Sequence, residues 1–264
     1  MTDLQHLQRV LLEIAQDIDR ICVKNGIKYY LLGGSCIGAI RHKGFIPWDD
    51  DLDICIPRSD YDRFIEVCKK ELDSNRYVLQ EGLKDWPLNF SKIRLKGTVF
   101  REPEDDYASE EMRGIFVDIF CLENVPDNNF LARIQYFLAK YYLCYQLGER
   151  KYHHASIKKK CMMFLAFPLK IKSLRKKVIS FIEKFNSQPT QRWGFFYGRT
   201  KYKSAIVSKS IYGIPKYVDF ENIKLPVPEK YHEYLTQIFG DYMKLPPVEQ
   251  RKGLHLVSID FGNY

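Results

Sequence analysis

Apolar residues at Leu4, Leu7, Leu11, Ile14, Ile18 and Ile21 recur in steps of three and four, the period of one helix face, and Asn25-Gly26 ends the run. Residues 28–32 then read as a strand. Gly33-Gly34-Ser35 breaks it, with Ser35 placed to cap a short helix through Arg41, and a loop carrying Gly44 and Pro47 leads to a second strand over 52–56. Ser59 and Asp60 open another helix that reaches about residue 72. Between 77 and 120 the strand-like pieces are 89–95, 98–101 and 114–120, interrupted by an acidic loop, and they complete a mixed sheet. From 130 to about 185 the pattern turns helical and basic. After Trp193 the chain is loop-rich until a short helix over 229–239. No internal repeat, low-complexity tract or Gly/Ser linker interrupts it.

This order predicts an α/β (α+β) fold: a mixed β-sheet flanked by helices, with a catalytic core from 1–127 and 190–264 and a basic helical insertion over 128–189. A chain of 264 residues lies at the upper edge of what one core serves, which fits one core plus one attachment. An apolar fraction of 45% with 28% charged residues excludes a disordered chain.

Seven cysteines, an odd number without a CxxC pair and mostly inside apolar runs, read as free thiols in a reducing compartment. The first twenty residues carry acidic side chains throughout and no basic stretch ahead of a long apolar core, so no secretory signal is expected and the catalytic part is expected in the cytoplasm. The net charge of +8 is uneven, basic between 151 and 184 and acidic between 102 and 111, which predicts one strongly basic face.

Candidate chemistry concentrates in residues 31–57, LLGGSCIGAIRHKGFIPWDDDLDICIP. Side chains alternate along a strand, so Asp51 and Asp53 project together, about 7 Å apart at the Cα level, while Leu52 and Ile54 face a core. Unpaired carboxylates on an apolar strand are costly, and a divalent cation is the natural counter-charge. Oxygen ligands favour Mg2+ or Mn2+. Gly33 and Gly34, after a strand and before a helix start, let backbone amides approach a phosphate, and Ser35 belongs to the same turn. Two such glycines alone are a common turn; joined to Asp-x-Asp on the next strand they are specific.

Other readings of this segment fail on its residues. GGSCIG has the wrong glycine spacing for a dinucleotide fingerprint. Asp49, Asp51 and Asp53 match the first ligands of a calcium loop, but Ile54 stands where that loop needs Gly and Asp60 where it needs Glu. There is no P-loop lysine motif and no Cys/His zinc cluster, and His153-His154 reads as a solvated helix face.

The run GGSCIGAIRHKGFIPWDDDLDI closely resembles the signature of the LicD/fukutin family of phosphotransferases. The resemblance continues in Phe90-Ser-Lys-Ile-Arg-Leu, in Phe116-Val-Asp-Ile-Phe, in Tyr231-His-Glu-Tyr-Leu through Gly240-Asp-Tyr and in Pro246-Pro, and is weakest over 130–185. It implies a nucleotidyltransferase-like fold that moves a phospho-substituent, such as phosphocholine from CDP-choline, onto a sugar hydroxyl of a cell-surface glycan or its lipid-linked precursor; fukutin-type relatives transfer ribitol phosphate. Carried over by position, Asp51 and Asp53 resemble the metal-binding pair and Asp118 the third carboxylate. Asp118 is also the candidate base for the acceptor hydroxyl. Asp49 and Asp50 lie in the motif without assigned roles, as does His255 near the end.

The basic residues sort less sharply. Arg41 and Lys43 lie between glycines and carboxylates, and Lys92 and Arg94 share one face of a strand, so each pair is a candidate for the donor's diphosphate or a solvated charge. Trp48 either stacks on a base or anchors its loop in the core. An apolar run between Lys158–Lys160 and Lys170–Lys177 is too short to span a bilayer; it either lies on anionic lipid or packs on the core.

Two rival functions remain: an adenylyltransferase of the same fold using a nucleoside triphosphate, and a non-catalytic binder of anionic glycan, lipid or nucleic acid. Nucleic acid is not an expected partner, because no aromatics are distinguishably interleaved with the basic residues.

Overall fold

The computed structural model describes residues 2–102, 109–150, 156–198, 200–253 and 258–264. His153, His154 and His255 lie outside them.

Helix α1 (Asp3–Lys24) opens on a capping box in which the Thr2 hydroxyl accepts from the Gln5 amide and the Gln5 side chain accepts from the Thr2 amide. The predicted apolar stripe is its buried face, and the chain turns out at Gly26, whose φ of 60° is left-handed. Strand β1 (Tyr30–Leu31) and helix α2 (Gly33–Ile37) follow, and α2 runs into a π-turn over Gly38–His42. A Cβ at Gly38 would sit 2.5 Å from the Gly44 carbonyl oxygen, so the loop folds back on itself only because Gly38 has no side chain. Strand β2 (Asp53–Pro57) leads directly into α3 (Arg58–Glu71).

Next come β3 (Tyr77–Gln80), β4 (Ser91–Leu95), β5 (Val99–Arg101) and the ten-residue β6 (Phe116–Val125). The order across the sheet is β1-β2-β6-β4-β3, with β2 and β6 parallel and the other neighbours antiparallel. The sheet is therefore mixed, as the sequence predicted. Helices α1 and α3 pack against β6, whose Val117, Ile119 and Cys121 are fully buried.

Helices α4 (Asn129–Glu149), α5 (Ile157–Leu165) and α6 (Lys172–Glu183) make up the basic helical stretch. They are followed by β7 (Arg192–Gly194), α7 (Tyr202–Ala205), β8 (Ile206–Ser208) and α8 (Lys209–Tyr212). The far half of β6 pairs with β7, and β7 with β8, so the same central strand serves both halves of the molecule. A second buried cluster joins Ala132, Tyr136 and Ala139 of α4 and Ile182 of α6 to Phe196 and Tyr197 beyond them. Asn124 of β6 clasps its far end, donating through its amide to the Asn186 side chain at 2.9 Å.

The C-terminal part is less loop-like than its sequence suggests. It contains the hairpin β9 (Lys216–Phe220) and β10 (Ile223–Val227), helix α9 (Tyr231–Phe239), and β11 (Ser258–Asp260), which pairs with β5. Six of the seven cysteines are buried and all seven are free thiols. Among the described residues no helix is long and apolar enough to cross a membrane.

Candidate active site

The β2–β6 register pairs Asp53 with Asp118, and the β4–β6 register pairs Asp118 with Lys92. Residues paired across neighbouring strands share a face, so Lys92, Asp118 and Asp53 form one row across three strands. Two of the three residues assigned to the metal are thereby brought together. Asp51 lies just ahead of β2 rather than within it: the ladder starts at Asp53, while Leu52 still accepts the Asp118 amide at 3.1 Å.

Asp49, Asp50 and Asp51 cluster beside this row, each offering a carboxylate oxygen within 4.8 Å of the others. Burial first, then the charges of Asp51 and Asp50 and a hydrogen bond with Asp51, push the Asp49 carboxyl up to about 8. Asp53 is held well above the usual carboxylate range by burial, then by Asp51, Asp118 and Asp49, against a smaller opposing pull from Lys92. Asp118 is raised by burial, with Lys92 acting the other way and Glu102 adding to the rise. These shifts describe a carboxylate cluster with too little positive charge.

Lys92 is 1% exposed, yet its Nζ is shared: it lies 3.1 Å from Asp118 Oδ1 and 3.2 Å from Glu102 Oε2, over the Phe116 ring. Arg150, at the end of α4, reaches the same Glu102 oxygen at 3.3 Å. Burial works against ionisation of Glu102, but Lys92 and Arg150 outweigh it and hold the carboxyl down at about 2. Asp118 Oδ1, although close to Lys92, has no donor at hydrogen-bonding geometry and is buried. A buried Asp118 oxygen whose one close cation is shared with Glu102, in register with Asp53 and next to the Asp49–Asp51 cluster, suits a hard divalent cation, so the residues fit Mg2+ or Mn2+.

The glycine turn adjoins this cluster. A Cβ at Gly34 would lie 3.1 Å from Asp49 Oδ2, and the Gly33 amide points at the Tyr234 hydroxyl 3.5 Å away. Ser35 does not cap the helix, because the N-cap is Leu32, without a side-chain bond, and Ser35 is the third helical residue. Its hydroxyl, 5% exposed, instead accepts the Asp53 amide at 2.9 Å and so ties the turn to the first residue of β2.

The basic candidates separate. Arg41 donates from Nη1 to the Tyr242 carbonyl at 2.6 Å and from Nε to His42 at 2.9 Å, which fastens the loop to the segment after α9. Lys43, in the left-handed region at φ 62°, is exposed, and its carbonyl accepts the Glu221 amide. Arg94 is 1% exposed and bonded to the Gln80 side chain at 2.8 Å and the Gly114 carbonyl at 2.9 Å. Lys92 is engaged with carboxylates, so of the four only Lys43 projects into solvent. Trp48 is half-buried against the core, its ring flanked by His42 and Arg251.

The sequence left Asp49 without a role and did not single out Glu102 or Arg150. Asp49 carried a signal in its place within the aspartate run; Glu102 and Arg150 had none, because their meeting depends on where α4 ends.

Comparison with known proteins shows what the whole chain is similar to. The lipopolysaccharide cholinephosphotransferase LicD of Haemophilus influenzae is 32% identical over 263 residues, covering 96% of both chains. The human ribitol 5-phosphate transferase FKRP is 44% identical over 48 residues, 18% of this chain and 10% of its own length. A Rickettsia prowazekii protein of unassigned function is 35% identical over 79 residues, 23% of this chain and 30% of its own. The sequence model described as LicD/FKTN/FKRP, nucleotidyltransferase domain, matches residues 26–158, and with this match and a full-length relative the chain belongs to the LicD family.

Proposed function

We propose that the protein transfers phosphocholine from CDP-choline to a sugar hydroxyl of a cell-surface glycan or its lipid-linked precursor, in a Mg2+- or Mn2+-dependent reaction on the cytoplasmic side of the membrane. The observation that carries the reading is the row of Asp53 and Asp118 on parallel neighbouring strands with Asp51 leading into it. Similarity along nearly the whole chain to a lipopolysaccharide cholinephosphotransferase supports phosphocholine as the transferred group.

In this reading Asp51, Asp53 and Asp118 hold the cation. When bound, it neutralises charge on the donor's diphosphate and on the leaving oxygen. The acceptor hydroxyl oxygen attacks the phosphorus that bears choline. The bond from that phosphorus to the oxygen bridging to cytidine monophosphate breaks, and CMP departs with the electron pair. The hydroxyl proton passes to Asp118, and Lys92 beside it stabilises the carboxylate that must be ionised to take it. The Gly33-Gly34 turn stands over the same cluster and offers backbone to the diphosphate.

The test is nucleotide release followed by mass spectrometry, with Mg2+ and a glycolipid extract, supplying CDP-choline, CDP-ribitol, CDP-glycerol or ATP in separate reactions. CMP from CDP-choline, absent with Asp53→Asn, supports the proposal. CMP from CDP-ribitol or CDP-glycerol alone keeps the transfer and changes the donor, pyrophosphate from ATP makes the protein an adenylyltransferase, and silence from a folded chain with every donor points to a binding protein.

A further inference from the structure

Helix α5 is amphipathic the wrong way round for a helix that packs on a core. At about 100° per residue, Ile157, Cys161, Phe164 and Leu165 fall on one face about 100° wide. That face points to solvent: Ile157 is 83% exposed, Phe164 77% and Leu165 66%, and no residue of α5 is buried. Lys159 and Met163, on the opposite side, are the half-buried ones. The helix is held from beneath by α4, whose Tyr141 hydroxyl donates to the Leu165 carbonyl at 3.1 Å.

The apolar surface continues past α5. Phe167 and Ile171 are both more than half exposed, while Leu169 between them is fully buried and anchors the turn. On α4, Phe130, Phe137 and Tyr141 are spaced by seven and four, a single stripe, and the first two are exposed; the stripe runs toward the Tyr141–Leu165 contact.

Cations frame this surface. Residues 156–177 contain eight Lys and Arg and no Asp or Glu. On the wheel Lys158 and Lys160 flank the apolar face on either side, and Lys170, Lys172, Lys176 and Lys177 follow it. Among the described residues these six make no ion pair with a carboxylate, and all are exposed. A second copy of the same face would bring like charges together, which disfavours self-association. Apolar side chains rimmed by lysines match a layer of anionic headgroups over an acyl interior.

We propose that the 157–177 segment, with the exposed stripe of α4, is a docking surface for an anionic lipid bilayer, on which α5 lies in the interface. Helix α4 links this surface to the carboxylates, because it ends in Arg150, which reaches Glu102, and Glu102 shares Lys92 with Asp118.

The test is flotation of the full chain with vesicles of phosphatidylcholine alone, or of equal parts phosphatidylcholine and phosphatidylglycerol. It requires no turnover, so it is decided independently of the transfer reaction. Binding should be roughly tenfold or more stronger on the anionic vesicles, and Phe164→Ser with Phe167→Ser, or Lys158→Gln with Lys160→Gln, should each weaken it by a similar factor. The side chains are exposed, so an unchanged melting curve is expected, and Ile157→Ser alone supplies an independent variant. No binding to either vesicle, binding indifferent to lipid charge, or binding that survives both substitutions overturns the proposal. A dimer in sedimentation that Phe164→Ser dissolves assigns the face to a second copy and overturns it as well.

Discussion

Asp53 and Asp118 stand opposite one another on parallel neighbouring strands, and the cation nearest to the pair, Lys92, occupies the next place in the same row. Lys92 is shared with Glu102, so its charge is spent on two carboxylates before Asp53, Asp51 and Asp49 are counted. Without a bound cation the site is anionic and strained by its own charge, which governs how it responds to substitution, pH and metal.

Asp53→Asn removes one member of this cluster and keeps its shape. At pH 8 and without divalent metal, the variant should melt higher than the parent by about 2–4 °C, the equivalent of about 1 kcal/mol in a chain of this size. With Mg2+ the parent should gain stability and the variant should gain less, while transfer falls by about a hundredfold or more. A thermal scan of both proteins with and without Mg2+ checks this. A variant that melts lower in the absence of metal would show that Asp53 has a compensating partner in the fold.

The pH dependence has a definite sign. Asp49 is raised to about 8 by burial and by Asp51 and Asp50, so between its ordinary carboxylate value and about 8 the folded state holds a proton that the unfolded state releases. The stability this proton contributes is complete below the unfolded value and is lost as pH rises through about 8. Metal-free protein should therefore melt progressively lower from pH 5 to pH 9, and Asp49→Asn should flatten that slope. Glu102, held at about 2 against burial by Lys92 and Arg150, acts oppositely: its contribution is present at neutral pH and disappears as pH falls from its ordinary value through about 2. Melting curves against pH in chelator distinguish the two limbs.

Helix α1, strands β2, β4 and β6, helix α3 and the aspartates were legible in the sequence because each is written in a local period or motif. Three of the later strands were not. β7, β8 and β11 are three residues each and exist through pairing with distant segments, as when Ile259 meets Phe100, and a local window contains no trace of the partner. The same reason separates the basic residues. Lys92 and Arg94 alternate correctly on one strand face, but their destinations, Asp118 and Glu102 for one and Gln80 and Gly114 for the other, are set by neighbouring strands and by the end of α4. Arg41 lies beside the aspartate motif in sequence, and its guanidinium is engaged by the backbone carbonyl of Tyr242.

Lys92→Met keeps the length of the side chain against Phe116 and deletes its charge. Among the described residues Arg150 and Arg94 are then the cations acting on Glu102, and removing one partner from a buried pair costs about 3–5 kcal/mol. Denaturant unfolding at pH 7 should show a loss of that order, partly restored at pH 5, where the carboxyls can take up protons. Full stability at pH 7 would mean that Arg150 alone carries the pairing with Glu102.

Ser35→Ala tests whether the glycine turn positions the carboxylates or only precedes them. The Ser35 hydroxyl accepts the Asp53 amide at 2.9 Å from a nearly buried position, and it is the described side-chain link from the turn to the first residue of β2. Its removal leaves that amide without a protein acceptor, at a cost of about 1–3 kcal/mol. The start of β2 loosens on the side of the turn, where the Leu32 amide to the Asp53 carbonyl at 2.9 Å remains, while the ladder to β6 holds its other side. Because Ser35 touches the backbone of Asp53, the expected kinetic signature is a lowered kcat with little change in KM for the donor, together with weaker stabilisation by Mg2+. A rise in KM with kcat intact would instead place Ser35 against the donor, and the phosphate cradle would then include its hydroxyl.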